Sequence, residues 1–240
     1  MRGNEKRFGT VAVSTMVIVL LFSVPITIRA TTTNLNTGES INLATVINNG
    51  LSVEIGDKIF ADFGFTYNDF GAPDLDLASS NVNVKALSNN TGFGLEFQEP
   101  LSAVNTKTKD ITFQYTAMVD PNFNNLISDI HLSIVATHSG AGTGVVNEVV
   151  YNDAFGGTQV GELDAYVAGP TETSDTLGTQ VDKLWVSKFV EVSGHNGGPT
   201  SAASITSIDQ TFSQMEIPEP GALFLTIVGL LGAVALKRRS

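Results

Sequence analysis

Between residues 31 and 217 the apolar positions alternate with polar ones, and no stretch of ten residues repeats them at helical spacing. Ile111, Phe113, Tyr115, Ala117 and Val119 alternate with Thr112, Gln114, Thr116 and Met118, the pattern of a strand with one face in a core. Asp120-Pro121-Asn122 ends that run as a turn. Ile130, Leu132 and Ile134 alternate with Asp129, His131 and Ser133, predicting a second strand. Gly140-Ala141-Gly142-Thr143-Gly144 follows as a loop, and 145–151 reads as the next strand. In 184–192, Trp185, Ser187, Phe189 and Glu191 face opposite to Leu184, Val186, Lys188, Val190 and Val192. His195-Asn196-Gly197-Gly198 turns the chain, and 204–212 reads as the closing strand. Earlier candidates are 41–47, 53–65, 82–87 and 93–97. The Thr-, Gly-, Ser- and Asp-rich stretch 168–180 is expected to be a long loop, and 213–216 a short tether. Roughly ten short strands separated by Gly, Asn, Asp and Pro turns predict an all-β fold, a single β-sandwich or jelly-roll domain over 31–216.

The ends of the chain break this pattern. Ile217-Pro218-Glu219-Pro220 leads into an apolar run at 221–236, which stops at Lys237, Arg238 and Arg239. Each Pro fixes φ and lacks an N–H, so Pro218 and Pro220 hold an extended stub before the run. As a helix the run is about 24 Å long at ~1.5 Å per residue, short against a hydrocarbon core of about 30 Å. The basic triplet fits a cytoplasmic stop, and a buried core helix is the alternative. Rigid Pro-Glu-Pro, apolar segment and basic stop, in that order, resemble the PEP-CTERM sorting signal of bacterial exported proteins. The resemblance implies that an exosortase-type membrane enzyme recognises and processes the 217–240 tail. At the other end Arg2, Lys6 and Arg7 precede an apolar stretch, 11–24, broken only by Ser14, Thr15 and Ser23, a secretory signal layout with a cut expected after Ala30. A retained N-terminal anchor is the alternative. Either way 31–217 is expected outside the cytoplasm, delivered by the secretion machinery. Two inner segments, Gly56-Asp57-Lys58-Ile59-Phe60-Ala61-Asp62-Phe63 and Ile205-Thr206-Ser207-Ile208-Asp209-Gln210-Thr211-Phe212-Ser213-Gln214, resemble segments of other PEP-CTERM proteins, which bring no activity with them.

Composition sharpens this picture. The chain carries 24 acidic against 13 basic residues, a net charge of −11, and no Cys. Of the acidic residues only Glu5 and Glu219 lie in the end segments. Between 31 and 217 the basic residues are Lys58, Lys85, Lys107, Lys109, Lys183 and Lys188, with no Arg. So acidic a surface repels nucleic acid and anionic lipid. Without disulfides the fold relies on its core or on bound ions.

Candidate chemistry is sparse. His131, His138 and His195 have no zinc-ligand spacing. There is no Gly-x-Ser-x-Gly elbow, so nothing marks a serine hydrolase. The 140–144 glycines lack the Lys-Ser/Thr and following helix of a phosphate loop. Asn89-Asn90-Thr91 is a formal glycosylation sequon. Asp69, Asp74 and Asp76 lie in a Gly/Pro-containing stretch whose oxygen donors suit calcium, with a solvated loop as the alternative. Trp185 and Phe189 share one strand face. Exposed, they form a platform for sugar rings; turned inward, they are core.

These features point first to an exported, non-enzymatic protein anchored in the inner membrane in transit. Its destination is then the cell surface or extracellular matrix, in adhesion or a polysaccharide biofilm. A carbohydrate- or calcium-binding module is the alternative, and an exported hydrolase the third reading.

Overall fold

The computed structural model describes residues 31–70, 79–194 and 200–216, and over them the alternation of the sequence becomes two sheets. The strands are β1 (Thr32–Asn34), β2 (Ser40–Asn42), β3 (Ser52–Ile55), β4 (Lys58–Phe70), β5 (Asn83–Asn89), β6 (Gly92–Val104), β7 (Thr108–Val119), β8 (Asn125–Ser139), β9 (Thr143–Tyr151), β10 (Gln159–Tyr166), β11 (Glu172–Val181), β12 (Lys183–Ser193) and β13 (Ala202–Glu216). One short helix, α1 (Leu43–Asn48), follows β2. The seven-stranded sheet runs β1-β3-β4-β7-β12-β9-β10 and the six-stranded sheet β11-β8-β13-β6-β5-β2. All described pairings are antiparallel except β1 with β3.

The inward faces of the two sheets meet in one core. Ile111, Phe113, Tyr115 and Ala117 of β7 are buried, as are Leu184, Val186, Val190 and Val192 of β12. From the six-stranded sheet come Leu95 and Phe97 of β6, Ile130 and Leu132 of β8, and Ile208 and Phe212 of β13. Aromatic rings join the layers: Phe97 lies 4.7 Å from Phe113 and 5.6 Å from Tyr115, and Phe60 of β4 lies 5.9 Å from Phe212. Tilted pairs at such separations add about 0.5–1.5 kcal/mol beyond area burial. The all-β, two-sheet architecture expected from the alternation is therefore present.

Several buried positions are charged. Lys188 of β12 stands opposite Glu148 of β9 in the seven-stranded sheet, pairs with it, and donates to the Gln210 Oε1 of β13 in the other sheet. All three are fully buried. Burial holds the Lys188 ammonium well below the usual lysine range. Near one end of the sandwich Lys58 Nζ donates to Asp57 Oδ1 at 2.9 Å and to Gln214 Oε1 at 2.5 Å, tying β4 to β13.

Several expected boundaries are corrected. The 41–47 segment is a strand only as far as Asn42, the end of β2. After β2 the Asn42 side chain accepts from Ala44 N and caps α1, burying Leu43 and Val46. The 53–65 strand is a hairpin: Gly56, at φ 61°, makes the turn between β3 and β4. The 168–180 loop is largely β11, an edge strand whose Thr and Ser residues pair with β8 and bury only Leu177. The 213–216 tether is the end of β13, paired with β8 as far as Glu216. Asp69 lies in β4 opposite Lys109 rather than in a loop. Asp74, Asp76 and His195 lie outside the described residues. So do the 1–30 segment, Pro218, Glu219, Pro220, the 221–236 run, and Lys237, Arg238 and Arg239. Among the described residues no helix is long and apolar enough to cross a membrane.

Candidate functional site

The two outer faces of the sandwich carry different chemistry, and strand register sets both. On the seven-stranded sheet, burial of Leu184, Val186, Lys188, Val190 and Val192 turns Trp185, Ser187, Phe189 and Glu191 outward. Trp185 stands opposite Tyr151 of β9 on one side and Thr116 of β7 on the other. Phe189 stands between Thr112 and Asn147, and Asn147 faces Asp164 of β10. Phe189 is 38% exposed and Tyr166, at the end of β10, 42%. Trp185 is half-buried. Trp185 and Phe189 are four residues apart along one strand, roughly 13 Å at ~3.3 Å per residue.

One face of the Trp185 ring is covered by Lys183. Lys183 Nζ sits 4.6 Å from its centroid, in cation–π reach, and 3.7 Å from Asp62 Oδ2. A bulge in β4 puts Asp62 in the left-handed region at φ 55°, and its carboxylate also accepts from Thr116 Oγ1 at 3.0 Å. Beside Phe189, Asn147 Nδ2 donates to Asp164 Oδ1 at 2.8 Å. Tyr166 Oη donates to Asp164 Oδ2 at 3.3 Å, and that neighbouring charge raises the Tyr166 pKa. The face therefore offers ring surfaces with amides, hydroxyls and carboxylates set between them.

On the six-stranded sheet, inward Ile130, Leu132, Ile208 and Phe212 leave polar neighbours outside. Glu172 (β11), Ser133 (β8), Asp209 (β13), Glu96 (β6) and Lys85 (β5) stand side by side in one cross-strand row. Ser174, His131 and Thr211 form the next row, continued by Gly94. A cleft of about 400 Å³ opens over these rows, lined by Asn89, His131, Ser133, Glu172, Asp209 and Thr211 among others. Lys85 Nζ lies 2.6 Å from Glu96 Oε2. Asp209 Oδ1 is buried with no hydrogen-bond partner. Burial, then the Glu96 charge, pushes the Asp209 carboxyl up to about 6 against the opposing effect of Lys85.

His131 meets both an acid and a hydroxyl. Its Nε2 lies 2.7 Å from Asp129 Oδ1 and 3.0 Å from Ser213 Oγ. A relay needs the two partners on opposite ring nitrogens; here they share one. The Ser213 hydroxyl donates to Thr91 O at 2.7 Å. This cluster is not arranged for nucleophilic catalysis. The Asn89-Asn90-Thr91 sequon is a hairpin turn in which Asn89 Oδ1 accepts from Thr91 N at 2.9 Å. His138 is exposed near the end of β8. Among the described residues no group of three or more His, Asp or Glu is placed to hold a metal ion.

Alternation places Trp185 and Phe189 on one face but does not say which face is outward; burial of Leu184, Val186, Val190 and Val192 decides that, and Tyr151, Asn147, Asp164 and the cleft residues depend in turn on which strands become neighbours. No protein-family model matches the chain, and no curated protein does. Among solved structures it is similar to TmCBM61 in complex with β-1,4-galactotriose, at 7% identity and a TM-score of 0.31, covering 65% of this chain and 89% of that one. It is also similar to the family 11 carbohydrate-binding module of Clostridium thermocellum in complex with a mixed-linked tetrasaccharide, at 11% identity and a TM-score of 0.22, covering 63% and 89%. A third is the enzymatically active domain of tailspike protein 4 of bacteriophage CBA120, at 12% identity and a TM-score of 0.29, covering 62% and 19%. None of these bears on what this chain binds, which its own residues must decide.

Proposed function

We propose that this is an exported, non-enzymatic protein that binds extracellular polysaccharide through the outer face of its seven-stranded sheet. The observation that supports it is the pairing of Trp185 with Tyr151, and of Phe189 with Asn147, which in turn faces Asp164, on one outward surface. A pyranose ring has an apolar face of C–H groups and a rim of hydroxyls. The aromatic rings bury the first, and the amide and carboxylates take the second. Two ring positions roughly 13 Å apart suit a chain of sugars rather than a single one. The Pro218-Glu219-Pro220 motif, the apolar 221–236 run and the 237–239 basic stop fit a sorting route to the cell surface or matrix, where such a ligand is abundant.

The chain has a single tryptophan, so its fluorescence reports this face directly. Titration of the full chain with neutral β-linked oligosaccharides is expected to shift Trp185 emission saturably. Trp185→Ala is expected to weaken binding, followed calorimetrically, by tenfold or more, about 1.4 kcal/mol, and Phe189→Ala by a smaller factor. Equal binding by wild type and Trp185→Ala sinks the assignment of this face.

A further inference from the structure

The cleft on the opposite face is not used by this reading. Its unsatisfied groups are all of one sign. Asp209 Oδ1 is buried and has no partner. Glu172, two strands away in the same row, makes no ion pair among the described residues, and Ser133 lies between them. Strands spaced at about 4.8 Å put the two carboxylate-bearing backbones roughly 10 Å apart. The basic side chains nearby are engaged: Lys85 holds Glu96, and His131 Nε2 lies 2.7 Å from Asp129 Oδ1. Hydroxyls and an amide from Ser174, Thr173, Thr211, Thr91 and Asn89 line the rest of the cleft, together with Leu132. An anion has no free cation to meet here, an apolar ligand would strand these polar groups, and no metal-holding cluster is present among the described residues. A ligand that fits must bring positive charge and hydroxyls together, and about 400 Å³ lies in the range of small-molecule sites.

We propose that this cleft is a second binding site, for the protonated amine of an amino-sugar unit, with Asp209 and Glu172 flanking the ammonium. It stands independently of the aromatic face. The carboxyl of Asp209, raised to about 6, gives the site a pH dependence. The groups around it are Glu96 and Lys85 on one side, and Asp129, His131 and Glu172 on the other.

The test is calorimetric titration of the full chain, in a detergent without sugar headgroups, with a β-1,4-linked glucosamine tetramer and with its N-acetylated counterpart. The amine form is expected to bind at least tenfold more tightly at pH 7 and to lose affinity as the pH falls from 7 to 5. Asp209→Asn and Glu172→Gln are each expected to lower that affinity about tenfold or more. Glu54→Gln, which removes the same charge from β3, is expected to leave it unchanged. Because the chain is acidic throughout, that control is decisive. An equal loss in Glu54→Gln means general attraction to a polycation and overturns the site. Equal binding of the two tetramers, or no binding of the amine form, overturns it as well. A thermal melt of Asp209→Asn separates lost binding from lost folding.

Discussion

At the scale of residues, the two groups that most disturb this fold are charges placed where alternation calls for apolar side chains. Lys188 occupies an inward position between Val186 and Val190, and its partners Glu148 and Gln210 come from a neighbouring strand and from the other sheet. Removing one member strands a buried charge; replacing the pair does not. Lys188→Met alone is expected to cost about 3–5 kcal/mol in urea denaturation, whereas Lys188→Met with Glu148→Leu should return close to wild type or above it. Costs that simply add would show that the pair is not coupled. Asp209 gives a pH signature. Its folded value of about 6 exceeds the ordinary 3.8, so between those values the folded chain binds more protons than the unfolded one. Its stabilising contribution is therefore complete below pH 4 and lost as the pH rises through 6. Asp209→Asn should leave the melting temperature unchanged at pH 3.5 and raise it at pH 7.5. Because the group is partly exposed, the gain is about 1 kcal/mol rather than the full two-unit equivalent. Equal melting shifts at both pH values would show that its carboxyl is not perturbed.

At the scale of elements, what the sequence reveals depends on how each strand is buried. β7 and β12 bury one face each; alternation marks the inward residues of β7 and separates the two faces of β12, of which the structure shows Leu184, Val186, Val190 and Val192 to be inward. β11 is an edge strand that buries only Leu177, so its Thr-, Ser- and Gly-rich composition reads as a loop although Thr is a good strand former. α1 is one short turn set by the Asn42 cap, too brief for any periodicity to show. The cleft is built from residues of β5, the turn after it, β8, β11 and β13, far apart in sequence, and only register makes them neighbours. Register also explains which glycines matter. A Cβ on Gly94 would lie 1.7 Å from the Gln210 carbonyl oxygen, so β6 and β13 pack together there only because the side chain is missing. A Cβ on Gly178 of β11 would meet nothing within 4 Å. Gly94→Ala is expected to cost roughly 2–4 kcal/mol and Gly178→Ala to be neutral or stabilising by up to about 1 kcal/mol. Chemical denaturation of the two variants side by side checks this, and similar losses in both would refute the close β6–β13 approach.

At the scale of the whole molecule, a two-faced β-sandwich gains its meaning from where the chain is taken. The sugar-binding reading needs residues 31–216 outside the cytoplasm, and the basic n-region with its apolar stretch is the feature from which export is proposed. The tail supplies a second step. Pro218 and Pro220 each fix φ and lack an N–H, and the proposed recognition of the tail by a sorting enzyme rests on that feature of the sequence. The 221–236 sequence is short against the hydrocarbon core, and we propose that it anchors the chain in transit and is then removed. In a host with the sorting enzyme, mass spectrometry of the mature protein should therefore show a new C-terminus near Pro218–Pro220 and no 221–236 run. Changing Pro218 and Pro220 to Ala together should leave the chain intact through Ser240 and held in the membrane fraction. If the wild-type chain itself persists through Ser240 in such a host, the tail is a permanent anchor, and both sugar-facing surfaces act at the membrane rather than in the matrix.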